Sequence, residues 1–90
     1  MFIMDESRIV SFKEKLDRFY TWPSLYVFKF IVPAGKEDQL VHFFPNHKPT
    51  KKESKNGKYI SITIPMMMPS SAAVVEVYER ISVVEGVIAL

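Results

Sequence analysis

The chain has 90 residues, 48% of them hydrophobic, and its formal net charge is +2. This length allows one domain around one packed core, and the hydrophobic content is typical of a globular chain rather than a disordered one. The absence of cysteine excludes disulfides, zinc–thiolate sites and thiol catalysis, and so small a net charge does not by itself indicate a nucleic-acid partner.

The first predicted element is an amphipathic helix, which we assign to residues 1–21. Asp5 or Ser7 is a suitable N-cap, and we expect the helix to end before Thr21. Charged residues separate apolar residues that recur at helical spacing, namely Ile9, Phe12, Leu16, Phe19 and Tyr20.

A strand is predicted next, over residues 24–32, because Trp22-Pro23 ends the helix and the following segment is rich in aromatic and β-branched side chains. Both of its faces are apolar except at Lys29, which favours a central position in a sheet. One face carries Tyr26, Phe28, Phe30 and Val32, and the other carries Leu25, Val27, Lys29 and Ile31.

A turn and a short helix follow this strand. Pro33 and Gly35 mark the turn. Residues 36–44 can hold about two helical turns, and Pro45 stops the helix.

A hairpin is the clearest short-range signal in the chain. Residues 48–54 are polar and alternating, which is typical of an edge strand whose lysines block further pairing. Asn56-Gly57 then predicts a type I′ turn, in which both central residues have positive φ. In the strand after the turn, Ile60, Ile62 and Ile64 face the core, while the outward positions are Tyr59, Ser61 and Thr63. We expect this strand to end at "MMMP", residues 66–69.

The last predicted elements are a helix and a short strand. Ser70 or Ser71 caps the helix, Gly86 follows it, and "VIAL" forms the strand. The core stripe of the helix is Val74, Val77, Tyr78 and Ile81.

After the N-terminal helix, the order of elements is β-α-β-β-α-β over residues 22–90. This order predicts an α+β, ferredoxin-like sandwich, in which two helices lie on one face of a four-stranded antiparallel sheet.

Several of these segments together resemble a known family. "WPSLYVFKFIVP", "SKNGKYISITI", "VYERI" and "VEGVIAL" are similar to the YbeD-like family of small bacterial proteins of unknown function, over roughly residues 22–90. The resemblance implies a ferredoxin-like fold that is similar to the ACT-type domains, which sense small molecules. It also implies a regulatory role, and it brings no established catalytic residues.

The outward sheet face is the first candidate surface for a ligand or partner. A lysine among aliphatic side chains on a central strand either reaches past them to water or marks a covered surface. We expect coverage, by the N-terminal helix or by a second subunit, because an open apolar face is an association patch. The surface comprises Leu25, Val27, Lys29, Ile31, Tyr59, Ser61 and Thr63.

Two smaller sites are candidates as well. The turn at Pro33, Gly35 and Lys36 occupies the place where ACT-type domains, which the family resembles, bind amino-acid effectors. The basic hairpin has lysines that are able to contact phosphates, although the same lysines fit a solvated edge, and arginine is missing from the cluster. They are Lys51, Lys52, Lys55 and Lys58.

Enzymatic chemistry is not indicated by any motif. His42 and His47 lack the spacing of a metal pair, and we find no catalytic triad, phosphate loop or paired carboxylates. We therefore predict no catalytic residues, no metal and no cofactor.

The sequence thus favours a regulatory or protein-interaction module that self-associates or binds a protein partner. An amino-acid or carboxylate sensor is the alternative, and nucleic-acid binding is less favoured because the third strand offers hydroxyls where stacking rings are needed. The first residues lack a secretory signal and no apolar run reaches the roughly 18–20 residues of a membrane span. We accordingly expect a cytoplasmic protein without a membrane partner.

Overall fold

The computed structural model describes residues 6–90, which form three helices and four strands. An apolar face on each helix and alternation in the strands direct these elements to one core. The elements are α1 Glu6–Phe19, β1 Ser24–Pro33, α2 Glu37–Val41, β2 Thr50–Glu53, β3 Tyr59–Met68, α3 Ser71–Ile81 and β4 Ile88–Ala89.

The four strands form one antiparallel sheet in the order β2-β3-β1-β4. β1 and β3 pair along their whole lengths, from Ser24 opposite Met68 to Pro33 opposite Tyr59. β2 pairs with β3 over four residues, and β4 pairs with β1 at two. The predicted α+β architecture and the central position of β1 are confirmed.

The core lies between the helices and one face of this sheet. The predicted inward faces of β1 and β3 are confirmed, and so is the core stripe of α3, in which Val77 is only partly buried. At the centre of the core, edge-to-face contacts between aromatic rings stabilise the packing beyond the contribution of the buried apolar area. The buried residues of these three elements include Phe28, Phe30, Val32, Ile60, Ile62, Ile64, Val74, Tyr78 and Ile81.

α1 packs on the same side of the sheet as the core. Leu16 is buried among the core residues, and the ring centroid of Phe12 lies 5.7 Å from that of Tyr78 in α3. The hypothesis that this helix covers the outward sheet face is therefore wrong, because its apolar face packs against α3. Ser7 lies inside the helix, and the alternative cap at Asp5 falls outside the described residues.

β3 is longer than predicted and continues through Pro65 to Met68. The N–H of Ser54 donates to the carbonyl of Tyr59 at 2.8 Å, so alternate β3 residues, including position 65, direct their backbone groups toward β2. β2 ends its pairing opposite Thr63. A proline is tolerated at position 65 because its missing N–H faces the side of β3 beyond the end of the pairing with β2, where the described residues place no strand.

The hairpin between β2 and β3 is real, but its predicted type I′ turn is wrong. Gly57 has φ +72°, whereas Asn56 does not have positive φ, and the Gly57 N–H donates to the carbonyl of Ser54 at 3.0 Å. Side chains hold this wider loop together: Asn56 Oδ1 accepts from the N–H of Lys58, and Ser54 Oγ accepts from the N–H of Tyr59. Such local bonds replace the two-residue turn.

α2 is shorter than the predicted helix over residues 36–44. Beyond Val41 the chain tightens, because the N–H of Phe43 donates to Leu40 and that of Phe44 to Val41, at a spacing of three residues. Leu40 and Phe44 are both buried, and Phe44 lies within 6.3 Å of the rings of two β1 phenylalanines. Packing of these two side chains therefore holds the segment in place.

α3 begins and ends on local signals. Ser70 is the N-cap, since its Oγ accepts the N–H of Ala73 at 3.1 Å, and Ser71 is the first helical residue. Gly86 follows the helix with φ +79°. A Cβ placed on it would lie 2.7 Å from Cγ of Pro33, so only glycine fits where the chain enters β4.

Candidate interaction surface

The sheet face away from the helices, which we call the open face, is the largest candidate site. Side chains in β1 and β3 alternate between the core and this face, and the register pairs Lys29 with Thr63 and Ile31 with Ser61 across it. The structure thus brings together the predicted surface residues Leu25, Val27, Lys29, Ile31, Tyr59, Ser61 and Thr63.

Three apolar residues join this face that the sequence reasoning did not assign to it. Met67 pairs with Leu25, and Ile88 pairs with Ile31. The N–H of Leu90 donates to the carbonyl of Lys29 at 2.9 Å. Met67 was missed because β3 was expected to stop at "MMMP", and its alternation with Thr63 and Pro65 was the available signal.

Five of these side chains form what we call the apolar stripe. Each is between 44% and 66% exposed, which is high for large apolar residues on a central and an edge strand. Lys29 lies beside the stripe and is exposed itself, so its ammonium reaches water past aliphatic neighbours. The apolar stripe consists of Leu25, Val27, Met67, Ile88 and Leu90.

A shallow depression of about 250 Å³ lies at the hairpin end of the open face. Ile31 and Tyr59 contribute apolar surface to it, while Ser61 and the hairpin residues Lys52 and Lys55 contribute polar groups. The site is therefore amphipathic and open to solvent.

The four lysines of the basic hairpin do not converge on one patch. Lys52 pairs with outward-facing Ser61, whereas Lys51 pairs with buried Ile62, so their side chains leave opposite faces of β2. Lys51 Nζ also lies 3.8 Å from a carboxylate oxygen of Asp38. This arrangement does not favour a phosphate-binding surface, which needs its positive charges on one side.

The predicted effector turn satisfies its own backbone. Gly35 has φ +99°, and its N–H donates to Oε1 of Glu37 at 2.6 Å. The turn therefore presents an N–H group that is able to donate to a carboxylate. In this structure that carboxylate is the side chain of Glu37. Pro33 lies at the end of β1, and Lys36 is the residue before α2.

A tyrosine pair is the other notable polar contact. The hydroxyls of Tyr26 and Tyr78 lie 2.8 Å apart. Burial, together with the hydrogen bond between the two hydroxyls, raises the pKa of Tyr78 above its ordinary value, and burial also raises the pKa of Tyr26. Both hydroxyls therefore stay protonated at neutral pH, and the pair serves as a hydrogen bond at the rim of the core.

Within residues 6–90, no three acidic or histidine side chains come together in a way that would hold a metal ion. The same residues include no helix with both the length and the apolar character to cross a membrane.

Comparison with protein families identifies the chain. The profile of a family described as a protein of unknown function, DUF493, matches residues 17–90. The chain belongs to the DUF493 family. The DUF493 match begins in the last part of α1 and includes the whole sheet, so it covers both the open face and the effector turn. No curated protein and no solved structure matches the chain.

Proposed function

We propose that this DUF493 member is a cytoplasmic, non-enzymatic regulatory or protein-interaction module that associates with a second copy of itself. The observation that carries the proposal is the apolar stripe, because monomeric proteins rarely expose contiguous apolar surface of this kind without an interaction role. The packing of α1 on the core side leaves this stripe uncovered by the described chain.

The arrangement of elements supports the finer part of the proposal. With β1 central and α3 crossing between β3 and β4, the molecule fits a ferredoxin-like, split βαβ order. We propose accordingly that it is YbeD-like and ACT-like in fold. A shared fold supports a regulatory role only by analogy, so the stripe carries the argument.

Val27→Glu tests the proposed surface, because it places a charge in the apolar stripe at a half-exposed position. We expect the wild-type chain to sediment as a dimer at micromolar concentrations and the variant to sediment as a monomer, since a buried unpaired carboxylate opposes association. Sedimentation velocity over a concentration series measures this.

The matched control is Val83→Glu, which makes the same change at an exposed valine after α3. It should leave the dimer unchanged. A wild-type chain that stays monomeric throughout the series contradicts the proposal.

A second candidate function is an ACT-like sensor of amino acids or carboxylates at the turn of Pro33, Gly35 and Lys36. The carboxylate of Glu37 on the Gly35 amide favours this candidate, because a ligand carboxylate would take the same N–H group after displacing Glu37.

Glu37→Gln tests this second candidate. The amide binds the Gly35 N–H less strongly than a carboxylate does, so a ligand should displace it more easily. In a thermal-shift screen of amino acids and small carboxylates, we expect a stabilising ligand whose effect is larger with the variant. No shift with either protein contradicts the sensor.

A further inference from the structure

One half of β1 has an unpaired edge beside β4. β1 pairs with β3 from Ser24 to Pro33, but β4 meets it only at Phe30 and Ile31. In the part of the chain that the structure describes, no strand pairs with the other side of residues 24–28.

The direction of the backbone groups along this edge follows from one hydrogen bond. The Lys29 carbonyl accepts the N–H of Leu90 in β4, and groups of alternate residues point to the same side of a strand. Val27 and Leu25 therefore direct their N–H and C=O groups away from β3. The carbonyl of Leu25 has a long contact of 3.5 Å from the hydroxyl of Ser24.

The two edges of the sheet differ in how they are protected. One edge of the sheet is β2, which is exposed at every position and carries Lys51 and Lys52. Lysines on an edge strand commonly prevent the addition of another strand. The free part of β1 contains neither a charge nor a proline between Ser24 and Phe28. Its backbone groups are accordingly available for another strand.

From this edge we infer that a second copy of the chain docks, with the two β1 segments pairing antiparallel over residues 24–28. The inference rests on the proposed self-association and names its geometry. Leu25 of each copy would lie opposite Val27 of the other, and Tyr26 would lie opposite itself on the two-fold axis. The pairing would form four backbone hydrogen bonds and extend the sheet from four strands to eight.

The side chains of the segment suit this occupant. Leu25 and Val27 both belong to the exposed apolar stripe, so each apolar side chain would meet an apolar one across the new pair. The half-buried Tyr26 would pair with a second tyrosine on the core side. No like charges would fall opposite each other, because the segment carries none.

Val27→Pro and Val27→Thr separate this backbone pairing from association through side chains alone. Proline removes an N–H that points away from β3 and keeps an apolar side chain, whereas threonine keeps the N–H and the branched shape. We expect Val27→Pro to raise the dissociation constant of the dimer by about tenfold or more, because two of the four intermolecular bonds disappear. Val27→Thr should remain a dimer.

Amide hydrogen exchange of the wild-type chain gives an independent readout that needs no variant. The amides of Leu25 and Val27 should exchange more slowly as the concentration rises, by about tenfold or more when the dimer forms. Lys51 and Glu53 of β2 are the internal controls, because their amides also point outward by the same alternation. Their exchange should not depend on concentration.

The outcomes distinguish the two levels of the proposal. The edge pairing is overturned if Val27→Pro remains a dimer and the amides of Leu25 and Val27 exchange fast in the wild-type dimer. That result leaves the proposed function standing. A monomeric wild-type chain overturns both. If exchange slows only when an extended peptide is added, the edge binds a strand of another protein, and the proposal that a second copy occupies it is wrong.

Discussion

Replacing Phe28 with alanine should lower the free energy of unfolding by about 3–5 kcal/mol. Phe28 is fully buried, and its ring lies 4.8 Å from that of Tyr26 and 5.3 Å from that of Tyr78, measured between centroids. The cavity left by the ring would lie between the sheet and α3, where two rigid elements meet and cannot collapse into it. Urea unfolding followed by circular dichroism measures the change.

Phe19→Ala is the matched control, because Phe19 is 83% exposed at the end of α1. The same substitution there should change stability by no more than about 0.5 kcal/mol. Equal losses at the two positions would contradict the described core.

Gly86→Ala should lower the free energy of unfolding by about 2–5 kcal/mol. Two causes add: an alanine at φ +79° is strained, and its Cβ would lie 2.7 Å from Cγ of Pro33. The clash would push β4 away from β1, whose contact is limited to two residue pairs. Denaturant unfolding again measures the loss.

Two comparisons isolate these causes. Gly35 also has positive φ, +99°, but a Cβ there would meet nothing within 4 Å, so Gly35→Ala should cost only the strain of about 1–2 kcal/mol. Adding Pro33→Ala to Gly86→Ala should recover the part due to the clash. If Gly35→Ala and Gly86→Ala are equally destabilised, the close approach to Pro33 is not what selects glycine at position 86.

Sequence periodicity was sufficient to predict the strands and the large helices. The inward and outward faces of β1 follow from alternation alone, and the Ser70 cap was one of two candidates because serine there precedes an apolar stripe of helical spacing. Both signals depend on residues close in sequence, so they can be read without knowledge of the fold.

Tertiary contacts decided what the sequence left open. The apolar face of α1 is equally compatible with either side of the sheet, and the packing of Phe12 on Tyr78 and the burial of Leu16 select the core side. The loop at Asn56 differs from a type I′ turn because side chains of Ser54 and Asn56 bond its backbone. The length of β3 depends on Pro65 directing its backbone beyond the end of the pairing with β2, and local propensity does not carry that information.

Where β2 stops has a consequence for the size of any assembly built on this sheet. Pro65 removes one of the N–H groups that β3 would present beyond the end of β2, and lysines occupy β2 itself, so this edge is poorly suited to pairing with another chain. When one edge of a sheet is open to strand pairing, a second copy of the chain can join it only through the same edge. Association would therefore stop at two copies instead of growing head-to-tail into a filament.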